Sequence, residues 1–224
     1  MERRGTRMRK LIVGTFLTLD GVMQAPGGPE EDDSDGFTLG GWSVNYWDEK
    51  MAQVMGESMS SRFDLLLGRK TYDIFAYTWG AAPKTSKSPI AAALHTKPKY
   101  VVSSTLRDPE WDNTKVLSAD FAVAIAKLRA QPGGELQVHG SGQLIHWLLQ
   151  NRLIDEMNLI IFPVILGQGI RLFPDVGNDF ALELVESSVK PNGVTIQVYR
   201  PKGHPEYSTI TKEEAHNMFK QNFG

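Results

Sequence analysis

Apolar residues fall in short runs, punctuated by glycine, proline and charge. Leu11 to Thr18 is β-rich and mostly apolar, the pattern of a central strand covered on both faces. Asp20-Gly21 makes a turn. Gln24 to Gly41 is then a long loop rich in Gly, Pro and acids, a length that suits either a lid over a site or a solvated insertion. Trp47 to Arg62 places Met51, Val54, Met55, Ser58 and Met59 at three/four spacing, which predicts a helix. Leu65 to Leu67 is the next strand. Trp79, Pro83 and Pro89 make 76–94 a loop that ends in a short helix near Ile90 to Leu94. Tyr100 to Ser103 and Lys115 to Leu117 follow as strands. Phe121 to Ala130 is an Ala-rich amphipathic helix, stopped by Pro132-Gly133-Gly134. Leu136 to Val138 reads as a strand and Gln143 to Gln150 as a helix.

The last third changes style. Glu156 to Val164 is a long apolar strand, followed by a glycine-bracketed loop at 166–169. Leu182 to Val189 and Val194 to Tyr199 flank Lys190-Pro191-Asn192-Gly193, a strong hairpin signal. Alternating β and α elements that finish in a hairpin predict an α/β fold: a mainly parallel central sheet with an antiparallel edge and helices on both faces. The basic residues Arg3 to Lys10 read as a solvated arm, with residues 1–8 outside the folded domain and residues 9–202 forming it. Residues 203–224 form a polar extension with a short helix from Lys212 to Gln221. Initiation at Met8 is as conceivable as at Met1.

Composition narrows the chemistry. A chain of 224 residues with 41% hydrophobic and 22% charged residues buries a core without staples. The formal net charge of −2 exerts no overall pull on nucleic acid or anionic membrane, so any cationic site is local. The absence of cysteine removes disulfides, thiolate catalysis and thiolate-bound metal. No apolar run reaches the roughly 18 residues of a membrane span, and a cytoplasmic location is expected. The histidines, with Asp175, Asn178 and Asp179, show no metal-ligand spacing, so no metal is expected.

Three strand ends share one chemistry. Gly68-Arg69-Lys70-Thr71 opens a helix with two cations and a hydroxyl. Ser103-Ser104-Thr105 ends a strand in three hydroxyls. His139-Gly140-Ser141-Gly142-Gln143 is a glycine-rich turn ahead of an apolar helix. Together they suggest a large phosphorylated ligand lying across the edge of a sheet. Plainer readings exist for each: solvated cations, a hydroxyl-capped turn, and an ordinary strand-to-helix turn. His139 reads as a core or second-layer histidine, the Met51, Met55 and Met59 stripe as packing, and the acids of 30–35 as a solvated loop.

The motifs Leu17-Thr-Leu-Asp-Gly-Val22, Leu67-Gly-Arg-Lys-Thr-Tyr72, Val101-Val-Ser-Ser-Thr105, Val138-His-Gly-Ser-Gly-Gln-Leu144 and Pro163-Val-Ile-Leu-Gly-Gln-Gly-Ile-Arg-Leu-Phe173 occur in this order. In them the chain resembles the dihydrofolate reductase-like superfamily. The branch it resembles most holds the reductase domain of riboflavin-biosynthesis deaminase-reductases and its stand-alone relatives. The resemblance covers roughly Arg9 to Lys202 and implies NADPH as cofactor, a small-molecule substrate and a homodimer. The Leu159 to Phe162 strand and the hairpin are interface candidates, which core packing explains equally well. The resemblance places Thr15, Phe16, Leu17 and Val22 at the nicotinamide, and Gly68, Arg69, Lys70 and Thr71 at a phosphate. It sets Ser103 and Ser104 by the adenosine ribose, and His139, Gly140, Ser141, Gly142, Gln143 and Leu144 along the pyrophosphate.

Hydride transfer also needs a proton. By the same resemblance, the helix after the long loop offers Asp48 as the nearest acid and Glu49 as the second. Acids in a first helical turn are expected from the helix dipole alone. Trp47 and Asp48 are substrate-binding candidates, together with Arg171, a cation for a substrate phosphate. Trp42 and Tyr46 either stack on a flat ring or pack. Asp20 reads as structural. The expected function is an NADPH-dependent reductase of a pterin-like, pyrimidine, carbonyl or imine compound. The alternatives are a non-catalytic NADP-binding or ligand-sensing protein, and an interaction dimer.

Overall fold

The computed structural model describes residues 8–174 and 179–223. Its strands are β1 (Leu11–Thr18), β2 (Phe63–Gly68), β3 (Lys99–Val102), β4 (Thr114–Leu117), β5 (Glu135–Val138), β6 (Glu156–Phe162), β7 (Leu182–Val189) and β8 (Thr195–Pro201). Its helices are α1 (Glu49–Ser60), α2 (Arg69–Phe75), α3 (Pro89–Thr96), α4 (Phe121–Ala130), α5 (Gly142–Gln150) and α6 (Lys212–Phe223). The strands form one sheet in the order β4-β3-β2-β5-β1-β6-β8-β7. The first six are parallel, and β8 and β7 add on antiparallel. The expected α/β architecture is the one observed.

Period-two alternation divides the core between the two faces of the sheet. On β2, Leu66 joins Leu11, Val13, Leu136 and Val138 under α4 and α5, whose Ile125, Leu128, Ile145 and Leu148 close that layer. Phe63, Leu65 and Leu67 point the other way, against Met59 of α1, Leu94 of α3, Tyr72 and Trp111. A third cluster surrounds Phe162, where Trp42, Tyr46 and Phe16 pack with ring centroids 5.2–5.6 Å away. Trp42 and Tyr46 therefore pack; Trp42 also donates its indole N–H to the Gln24 carbonyl at 2.8 Å.

Several boundaries differ from the sequence reading. The helix expected from Trp47 starts only at Glu49, because Asp48 is its N-cap and accepts from the Met51 amide at 2.8 Å. Such a cap contributes about 1 kcal/mol. Helix α3 runs from Pro89 to Thr96, longer than expected, with Ser88 capping it and Pro89 preset for its first turn. Residues 76–80, expected as loop, continue α2 as one wider helical turn.

The expected basic arm ends sooner than Lys10. Arg9 is buried and ion-paired with Asp64 at 2.6 Å, and Lys10 reaches Glu156 at 3.4 Å. Leu159 and Phe162 are buried within the sheet, so core packing accounts for them, whereas β7 is an edge strand with Leu184, Val185 and Val189 exposed. The C-terminal extension is tied to the body at its start, where His204 and Tyr207 both bond Asp179. Helix α6 is largely exposed. Asp175 and Asn178 lie outside the described residues. Among those described, no helix is long and apolar enough to cross a membrane.

Candidate active site

Because β3, β2, β5 and β1 are adjacent and parallel, their C-terminal ends meet along one edge of the sheet. The three turns singled out in the sequence therefore lie side by side. Their closest approach explains the glycines. A Cβ on Gly68 would stand 2.8 Å from the Ser141 amide nitrogen and press on its hydroxyl, and one on Gly140 would strike the Thr71 hydroxyl. The Gly68 N–H donates to the Gly140 carbonyl at 2.9 Å. Gly68 thus makes room for the neighbouring turn rather than for a ligand, and its φ of −73° requires no glycine on backbone grounds.

A cleft of about 710 Å³ opens at this edge. Its floor is Gly14, Thr15 and Phe16 of β1 with His139, Ser141 and Gly142 after β5. One wall is Lys70, Thr71, Ile74 and Phe75 of α2, continued by Met55 of α1 and Ile90 of α3. The long loop 23–32 and Trp47 form the other.

His139 is part of the floor. Its Nδ1–H donates to the Gly14 carbonyl at 2.9 Å, leaving Nε2 as an acceptor. That Nε2 is buried and has no partner. Burial holds the imidazole below its ordinary pKa, against the opposing pull of the Gly14 carbonyl, so the ring is neutral. The Phe75 ring lies 6.3 Å away.

The acid-rich loop folds over the cleft. Gln24, buried at its root, donates from Nε2 to the carbonyls of Asp32 and Ser34 at 3.2 and 3.1 Å, while its Oε1 accepts from the Ile170 amide at 3.0 Å. Asp32 reaches Lys70 at 2.7 Å with only 12% of its side chain exposed. Burial opposes its charge, but Lys70 and the Ser34 hydroxyl and amide outweigh that and hold its pKa below the ordinary value. Neighbouring Glu31 accepts from the Gly27 amide, and burial raises its pKa.

Of the residues expected at a ligand, the cleft gathers Thr15, Phe16, Lys70, Thr71, His139, Ser141, Gly142 and Trp47, the last 39% exposed. Others fall outside its lining. Leu17, Val22 and Leu144 are core. Gln143 is exposed. Arg69 is bound to Asp73 at 2.7 Å. Ser103 accepts from the Thr105 and Leu106 amides at 3.2 and 3.1 Å, as a turn cap does, and Ser104 is exposed beside it. Asp48, besides capping α1, lies 3.5 Å from the Asn192 side-chain amide.

Arg171 pairs with Asp20 at 3.4 Å and donates to its carbonyl at 3.1 Å, pinning two loops together. Burial disfavours the Asp20 charge, yet the Thr18 hydroxyl and the Gly167 and Leu166 amides hold its pKa at about 2. Gln24, Glu31, Asp32 and Phe75 were missed. The acid run read as solvated, and nothing local marked Gln24.

The fold is of the dihydrofolate reductase type, with a cleft at the C-terminal edge of the parallel strands. Residues 9–196 match the RibD C-terminal domain, and the chain belongs to that family of reductase domains. The Bacillus subtilis (strain 168) protein YyaP is 28% identical over 204 residues, covering 88% of this chain and 97% of its own. A putative riboflavin biosynthesis protein from Shewanella sp. PV-4 superposes with a TM-score of 0.61 at 24% identity, over 86% of this chain and 99% of that one. Dihydrofolate reductase from Enterococcus faecalis, solved with NADP(H) and RAB-propyl, gives 0.54 at 14% identity, over 86% and 96%.

Proposed function

We propose that this protein is an NADPH-dependent reductase of a small molecule and that the cleft holds cofactor and substrate together. The observation that carries this reading is the meeting of the β2 and β5 strand ends, with Thr71 on one and Ser141 and Gly142 on the other, at one cleft with Lys70 on its wall. The residues fit a dinucleotide. Helix α5 begins at the turn, and its first amides receive no cap from the Ser141 side chain. Such amides suit a pyrophosphate. Lys70 and the Thr71 hydroxyl hold further phosphate oxygens, and Arg69 and Ser104, exposed just outside, suit a 2′-phosphate. The chemistry that the cofactor supplies when bound is a hydride at the nicotinamide C4.

The chain's own residues position, shield and protonate. Thr15, Phe16 and His139 form the surface on which the reacting rings lie. The loop, fastened by Gln24, together with Trp47 keeps water from them. Glu31 is the acid that relays the proton: it lines the cleft and burial raises its pKa, whereas Asp48 caps α1. Two copies pair through the exposed apolar edge at β7. Following NADPH consumption with a panel of dihydropterins, ketones and imines tests the reading. Turnover that falls at least tenfold in Glu31→Gln is expected, and no turnover with any of them, in a protein that binds NADPH, would favour a non-catalytic binding role.

A further inference from the structure

The cleft has an uneven balance of charge. Among the described residues that line it, Lys70 is the one cation, and it is held by Asp32 at 2.7 Å. Two carboxylates, Glu30 and Asp32, and the proton-relaying acid Glu31 line the same space. Arg171, the other cation with a claim on a substrate phosphate, is bound to Asp20 outside the cleft. Once a cofactor phosphate takes Lys70, no lining cation remains for an anionic substrate. A second phosphate or a carboxylate tail would sit among acids with nothing to neutralise it.

Much of the remaining lining is apolar, with Met55, Ile74, Phe75, Trp79 and Ile90, beside the hydroxyls of Thr71, Thr78 and Ser141. Among the described residues that line the cleft, the one buried side-chain polar atom without a hydrogen-bond partner is His139 Nε2, an acceptor fixed by the Nδ1–H bond to Gly14. A buried acceptor left unpaired costs roughly 1–3 kcal/mol, so a ligand that donates to it is selected over one that does not.

We infer that the substrate is an uncharged or cationic flat ring compound whose N–H or O–H donates to His139 Nε2, and not a phosphorylated or carboxylate-bearing one. This rests on the reductase reading and narrows its substrate class. His139 acts as a positioning residue that also sets specificity.

The test is calorimetric binding of matched probes, with and without NADP. One pair is 6-methyldihydropterin against dihydrofolate, which adds a glutamate tail; the other is ribitylaminouracil against its phosphate ester. The uncharged member of a pair should bind at least tenfold tighter than its anionic partner. In His139→Phe that binding should fall at least tenfold, and His139→Gln, which restores an acceptor, should recover part of it. In the wild type, the Nε2 resonance should move when the uncharged probe is added. Equal or tighter binding of the anionic members overturns the inference. So does binding of no probe, or an unmoved Nε2 resonance with the uncharged probe bound. Failure of NADPH itself to bind would instead count against the reductase reading, and the probe comparison without cofactor still decides the substrate class.

Discussion

Lys70 Nζ lies 2.7 Å from Asp32 Oδ1, so the cation best placed for a phosphate is already held by an acid of the covering loop. A phosphate and this carboxylate compete for one ammonium, and the binding free energy of the cofactor is reduced by whatever the pair contributes. Asp32→Asn should therefore bind NADPH about 3–10-fold more tightly at low salt, with the gain shrinking as salt rises. Calorimetric titration at two ionic strengths checks this; unchanged affinity would mean that the pair opens without cost.

Gly68→Ala isolates a purely steric requirement. Its backbone is extended, and the added methyl meets the Ser141 amide nitrogen at 2.8 Å. Overpacking of this kind costs about 1–3 kcal/mol. Urea denaturation should show that loss, with weakened NADPH binding because the Ser141 turn shifts. Gly28→Ala, where nothing lies within 4 Å of the new atom, is the control and should leave stability near the wild-type value.

Gln24→Leu keeps the volume of a buried side chain and removes its bonds to the Asp32 and Ser34 carbonyls and the Ile170 amide. Leaving those groups unpaired should cost about 2 kcal/mol and loosen the loop. Limited proteolysis should cut between residues 26 and 36 faster than in the wild type. Equal cutting rates would show that Gln24 does not fasten the loop.

Lys99 predicts the alkaline limb of stability. Its side chain is buried, donates to the carbonyls of Leu94 and Lys97 at 2.6 and 2.9 Å, and is lowered by burial to about 8. The unfolded chain keeps that proton to about 10.5, so between pH 8 and 10.5 it binds more protons than the folded one. Stability attributable to Lys99 therefore rises with pH across that window. Measured against Lys99→Met, the wild type should gain between pH 8 and 10; a constant difference would contradict the shift.

Strands, helix order and the hairpin were legible because each rests on local pattern. Leu11 to Thr18, Phe121 to Ala130 and the Pro191-Asn192-Gly193 turn announce themselves within ten residues. The clustering of the Gly68, Ser103 and Gly140 turns was legible too, since parallel strands place their ends together. What failed was the spending of side chains over long distances. Arg171 meets Asp20, Gln24 meets Ile170, and Arg9 meets Asp64 across stretches that no periodicity encodes. Asp48 shows the opposite case, a local role: as an acid before a helix it caps α1, the plainer of the two readings its position allows. The acids at 30–35 looked solvated because only the folded loop turns Glu31 and Asp32 inward.

The most direct test of the cleft as a cofactor site is titration of the full chain with NADPH and NADH, in the wild type and in Lys70→Ala. NADPH binding tighter than NADH binding, with at least a tenfold loss in Lys70→Ala, is the predicted result. Binding of neither dinucleotide, or NADPH affinity indifferent to Lys70, would contradict it.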